Sequence, residues 1–211
     1  VNIILAGDSW GVPNYHGKPG IPPEYHLQYL LQDAGHYVLN VSKNSSGNFE
    51  AFNCIHKLHT GEKFDYLVWF HTSPYRDHLP TREQPNFRKY VPYEYYAKIN
   101  LLIEEVVSKY GVKFIAIGGC TALPKHISKD NLHYFIKDWK SEIIGKQLPE
   151  APWWGCMQYK IDDINEARAA DVMVATISNS DDFPDNGHPG IRPYAELFER
   201  LTKEVFEKND K

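Results

Sequence analysis

Along the chain, short apolar runs alternate with longer stretches in which apolar residues return every third or fourth position. "NIILAG" at 2–7 predicts a buried strand, and "PPEYHLQYLLQDAG" at 22–35 a helix with proline near its start and Gly35 as its stop. "HYVLNVS" at 36–42 reads as a second strand, "NFEAFNCIHKLHTG" at 48–61 as a second helix, and "FDYLVWFHT" at 64–72 as a third strand. A long helix, "PYEYYAKINLLIEEVVSKYG" at 92–111, leads into a fourth strand, "VKFIAIGG" at 112–119. The stretch "IRPYAELFERLTKEVFEK" at 191–208 is an amphipathic helix. Strands separated by helices need crossover connections, so this order predicts an α/β fold: a parallel sheet with helices on both faces, a three-layer α/β/α sandwich.

Two regions do not follow the alternation. Residues 73–91, "SPYRDHLPTREQPNFRKYV", hold three prolines and four basic residues without a period, and predict a long loop on the strand-end side of the sheet, where long loops are usually functional. Residues 120–160 predict a helix near 135–146 and an aromatic loop at Trp153 and Trp154. Beyond them, "DDINEARAADVMVATISNS" at 162–180 reads as helix, although "DVMVATIS" also passes as a strand.

The 211 residues, 42% hydrophobic and 24% charged, suit a folded domain with a full core, expected to span 1–211 as one unit. A net charge of -4 gives no general attraction to nucleic acid or anionic membrane. The longest apolar runs, such as "YLVWF" at 66–70, fall far short of the ~20 residues that span a bilayer. No charged-then-apolar leader precedes the first strand, so a cytoplasmic or otherwise soluble chain is expected. Cys54, Cys120 and Cys156 cannot all pair and lack zinc-ligand spacing, which favours a reducing compartment. His56 and His59 are one helical turn apart without a third ligand in register, and read as a solvated face; no metal or cofactor is expected.

Open parallel sheets bind ligands beyond the carboxyl ends of their strands. The first strand delivers Asp8, Ser9 and Trp10 there, the second "SKNSSGN" at 42–48, the third "HTSPYR" at 71–76, and the fourth Gly118, Gly119 and Cys120. Just before the last helix, "DFPDNGHPG" at 182–190 sets Asp185 and His188 at D-x-x-H spacing in a Gly/Pro-rich turn. A serine hydroxyl becomes a nucleophile only when a base takes its proton, and imidazole suits that exchange near neutrality. Asp8 reads as a cap of the following turn rather than a chemical group. Cys120, as a thiol nucleophile, is the less favoured alternative to Ser9.

The order of "GDSW" after the first strand, a glycine after the second, and "DNGHPG" shortly before a C-terminal helix resembles the SGNH or GDSL hydrolase superfamily of serine esterases and lipases. The resemblance extends over nearly the whole chain. It implies a flavodoxin-like α/β/α sandwich with Ser9 as nucleophile, His188 as general base and Asp185 as the acid that orients it. The backbone N–H groups of Ser9 and Gly47 would form the oxyanion hole. The family carries an asparagine donor after its third strand, in a G-x-N-D block, where this chain has "FHTSPYRD". Thr72 is the expected substitute, with Ser73, His71, Arg76, Asn44 and Asn48 as other candidates. The expected reaction is hydrolysis of short-chain carboxylic esters, including O-acetyl groups on carbohydrate. Trp10, Tyr15, Tyr75, Trp153 and Trp154 are candidates to stack on sugar rings, and Arg76 to receive an acidic substrate. The alternative is a weak or inactive carbohydrate-binding protein on the same fold.

Overall fold

A computed structural model describes residues 1–13, 22–44, 46–58, 61–72, 74–77, 93–119, 122–144 and 188–207. Five parallel strands form one sheet in the order β2-β1-β3-β4-β5: β1 is Asn2–Gly7, β2 Tyr37–Asn40, β3 Tyr66–His71, β4 Lys113–Gly118 and β5 Tyr134–Ile136. This is the flavodoxin-like order, in which the chain reverses its direction of travel across the sheet beside β1. The helices between and after the strands are α1 (Leu27–Asp33), α2 (Asn48–His56), α3 (Tyr93–Tyr110), α4 (Trp139–Ile144) and α5 (Ile191–Leu201).

Alternate residues of the central strands feed two separate cores, as the two-residue period requires. Ile3, Leu5, Val68, Phe70, Ile115 and Ile117 pack with Leu27 and Leu31 of α1, Trp139 of α4, and Tyr194, Leu197 and Leu201 of α5. Ile4, Ala6, Leu67, Trp69, Phe114 and Ala116 pack on the opposite face with Phe52 and Ile55 of α2 and Ile99, Ile103 and Val106 of α3. Both faces are therefore covered, and β3 is buried at every position. Among the described residues no helix is long and apolar enough to cross a membrane.

Two expectations need correction. The apolar stretch near 135–146 is not one helix: "YFI" extends the sheet, with Tyr134, Phe135 and Ile136 opposite Ile115, Ala116 and Ile117. Asp138 then accepts the Ser141 N–H at 3.0 Å and starts α4 one residue later. The helix predicted at 22–35 is also divided, into a 3₁₀ turn at Pro23–Tyr25 and α1, with His26 between them. Of the expected loop at 73–91 only 74–77 are described; the 162–180 segment, Trp153, Trp154, Tyr15, Cys120, Cys156 and His59 lie outside the described residues. His56 faces Glu105 of α3.

His26 is 1% exposed, and its Nδ1 accepts the Gln28 N–H at 3.2 Å, capping α1. That role requires neutral imidazole, and burial pushes its pKa from 6.5 down to about 4, against a smaller opposing contribution from the Trp10 backbone. Between those values the unfolded chain binds a proton that the folded chain excludes. Stability therefore falls as pH is lowered through that window, by about 3 kcal/mol in full. Urea unfolding at a series of pH values should show this slope, and His26→Asn, whose amide oxygen preserves the cap, should flatten it.

Candidate active site

At the end of β1 the backbone turns abruptly. Gly7 has φ 142°, and a Cβ there would lie 2.7 Å from the Phe70 carbonyl oxygen of β3, so only glycine lets the two strands run this close. Ser9–Gly11 then forms a single 3₁₀ turn. Asp8 caps it: Oδ1 accepts the Trp10 N–H at 3.0 Å, as its position before the turn predicts.

The structure brings Ser9 and His188 together across 179 positions of sequence, with Ser9 Oγ and His188 Nε2 2.8 Å apart. Both are buried, at 3% and 9% exposure. His188 stands two residues before Gly190, the residue that precedes α5, so the start of that helix sets its position. Tyr194, on the first turns of α5, donates its hydroxyl to the Trp10 carbonyl at 2.7 Å. The histidine therefore leads directly into the helix that holds the turn carrying the serine. Asp185 lies outside the described residues.

Neither the Ser9 N–H nor the Gly47 N–H makes a hydrogen bond among the described residues. The groups beside them are committed. Trp10 N–H goes to Asp8, while Asn48 and Phe49 N–H, at the start of α2, go to Oδ2 and Oδ1 of Asp77 at 2.9 and 3.0 Å. Asp77 supplies the helix cap that glycine at 47 cannot, and its carboxylate lies directly against the Gly47 Cα. Its Oδ2 also accepts the Tyr95 hydroxyl at 2.7 Å, and burial beside that carboxylate drives the phenol pKa strongly upward.

Among the candidates for the missing asparagine, Asn48 is spent. Its Nδ2 donates to the Thr72 carbonyl and to the Tyr95 hydroxyl, both at 2.8 Å, and its Oδ1 accepts the Thr72 N–H at 3.0 Å. It ties the end of β3 to the start of α2. Thr72 is 1% exposed, and its Oγ1 is sealed from solvent with no hydrogen-bond partner among the described residues. Trp10, expected as a stacking platform, turns inward instead. It is 2% exposed and packs edge-on against Trp139 at 5.5 Å, because the Asp8 cap folds the turn back over the sheet. Arg76 is bound to the protein itself: Nη1 donates to Asp8 Oδ2 at 3.0 Å and to the Ser46 carbonyl at 3.4 Å. Sequence reasoning missed Asp77, Tyr95 and Tyr194. A helix beginning at glycine signals that a cap must come from elsewhere, but not from where.

Because the Asp77 carboxylate occupies the space a side chain at 47 would need, Gly47→Ala should cost about 1–3 kcal/mol in stability by thermal or urea unfolding. Any ester hydrolysis should fall with it, since relief of the overlap moves the Gly47 peptide.

No protein-family model and no curated protein matches the sequence. Solved structures do match. The psychrotrophic esterase EstA from Pseudoalteromonas, whose structure was determined with monoethylphosphonate as inhibitor, aligns over 100% of this chain and 99% of its own, at TM-score 0.58 and 12% identity. A G-D-S-L family protein of Desulfitobacterium hafniense aligns over 96% and 98%, at TM-score 0.52 and 12% identity. The acetyl xylan esterase AlAXEase aligns over 97% and 100%, at TM-score 0.50 and 10% identity. The chain therefore has the α/β fold of the SGNH/GDSL esterases and lipases.

Proposed function

We propose that the protein is a serine hydrolase of carboxylic esters, acting on short acyl groups and on O-acetyl groups of carbohydrate. The observation that carries this reading is the 2.8 Å approach of Ser9 Oγ to His188 Nε2 at the carboxyl edge of the sheet, with the Ser9 and Gly47 N–H groups unbonded among the described residues. The serine hydroxyl donates to Nε2, and the imidazole takes its proton as Oγ attacks the ester carbonyl. Negative charge then develops on the carbonyl oxygen, where the Ser9 and Gly47 N–H groups receive it. The imidazolium passes its proton to the leaving alcohol, and water completes the cycle by the same steps in reverse. Asp185, three residues before His188, orients the imidazole through Nδ1.

The substrate class has its own support. Esterases with this fold include an acetyl xylan esterase, and the chain is rich in aromatic residues near the expected loops. With Trp10 in the core, stacking falls to the other candidates, Tyr15, Tyr75, Trp153 and Trp154.

A fluorophosphonate probe should label the wild type and fail to label Ser9→Ala, with hydrolysis of p-nitrophenyl acetate falling about 10³-fold or more. Asp185→Asn should slow both reactions without unfolding the protein. Absence of labelling in the folded wild type would leave the carbohydrate-binding alternative.

Thr72 offers a separate test, because a sealed hydroxyl cannot reach an oxyanion formed on bound substrate. Thr72→Val keeps the shape and should leave kcat within about threefold, with stability equal or slightly higher as a buried unpaired hydroxyl is removed. Loss of about 10²–10³ in rate would instead make it an oxyanion donor.

A further inference from the structure

Resting on the hydrolase reading, we propose that Arg76 is the positioning residue of the oxyanion hole, replacing by indirect means the family's absent asparagine donor. Its Nη1 touches two residues, and each immediately precedes one of the unbonded N–H groups: Asp8 before Ser9, through the carboxylate at 3.0 Å, and Ser46 before Gly47, through the carbonyl at 3.4 Å.

The second contact has a direct geometric consequence. In a trans peptide the carbonyl oxygen and the N–H of the next residue point in opposite directions. A guanidinium on the Ser46 carbonyl therefore turns the Gly47 N–H away from itself. The two peptides that follow are held as well, since Asp77, the next residue after Arg76, accepts from the N–H groups of Asn48 and Phe49. A turn at Pro74–Arg76 thus presents a donor and an acceptor that grip both sides of Gly47. The Ser46 side chain adds a third hold by donating Oγ–H to the Gly7 carbonyl at 2.9 Å.

The first contact fixes Arg76 in turn. Asp8 is 0% exposed and Arg76 16%, so the pair is shielded from the screening that weakens surface ion pairs. Asp8 divides its two oxygens between the Trp10 N–H and Arg76, which leaves the intervening Ser9 N–H uncommitted. The guanidinium thereby couples both donors to one buried charge. Lysine could neutralise Asp8, but it lacks the planar fork that serves a carboxylate and a carbonyl from fixed directions.

The test compares Arg76→Ala, Arg76→Lys, Asp8→Asn and the Asp8→Asn/Arg76→Ala double variant, using p-nitrophenyl acetate and fluorophosphonate labelling of Ser9. Arg76→Ala should lower kcat about 100-fold while KM changes less than threefold. Added guanidinium should restore part of kcat, and Arg76→Lys should fall between alanine and wild type. The double variant should lose no more than the worse single variant, because both act through one link. A rise in KM at unchanged kcat would make Arg76 a substrate-binding group and overturn the proposal, as would multiplicative losses in the double variant or no loss at all. If Arg76→Ala does not fold by circular dichroism, the kcat of Arg76→Lys decides: wild-type kcat refutes the proposal, and a fall at constant KM with guanidinium rescue supports it. A folded wild type whose Ser9 is not labelled refutes the hydrolase reading itself, whatever the Arg76 variants do.

Discussion

A carboxylate with no access to water must find all its partners inside the protein, and Asp8, at 0% exposure, meets that demand at the mouth of the sheet. One oxygen closes the turn after β1 by accepting the Trp10 N–H, and the other takes Arg76. The first bond fixes Ser9 on the turn and sends Trp10 into the core. The second reaches 68 positions along the chain and draws the segment after β3 against the loop after β2. Three strand ends that periodicity places on one edge are thus joined into one surface by a single buried charge.

The other side of that surface depends on α5. Tyr194 lies within the core, 4.6 Å from the His26 ring, and burial together with the Asp8 charge drives its pKa strongly upward, so its proton stays on the phenol and is donated to the Trp10 carbonyl. The turn that carries Ser9 is consequently held at Asp8 from within and at Trp10 from α5. His188 enters just before the same helix, so motion of α5 carries the histidine and the anchor of the serine turn together. A 2.8 Å contact between residues 179 positions apart needs such a common support.

Periodicity located β1 to β4 and the faces of the helices, because burial imposes patterns that survive without knowledge of partners. It failed at β5, where three residues of strand abut a helix and the apolar positions run on across the boundary. The serine and histidine were legible for a different reason: each stands beside turn-forming residues at the end of an element, and chemistry limits which side chains can cooperate. Asp77 and Tyr194 carried no such mark, and Arg76 and Asn48, named as candidate donors, gave no sign of the partners that hold them. Their roles arise from contacts 18 to 184 positions apart, and nothing local distinguishes Arg76 from the other basic residues of 73–91. Trp10 was misread because an aromatic beside a candidate nucleophile suggests a platform, whereas the Asp8 cap directs it inward.

The fate of Asn48 shows why counting donors misjudges this site. An asparagine does stand at the strand edge, yet its amide holds Thr72 and Tyr95, and thereby the start of the helix on which Gly47 depends. Electrostatic stabilisation of a transition state comes from dipoles already oriented before charge appears, so a donor free to turn contributes less than one that is held. Here the Gly47 peptide is gripped at its carbonyl by Arg76 and beyond its α-carbon by the Asp77 cap, while Gly47 itself is required for that cap to approach. Polar side chains at this edge are turned to the backbone, and the N–H groups of Ser9 and Gly47 are left unbonded among the described residues.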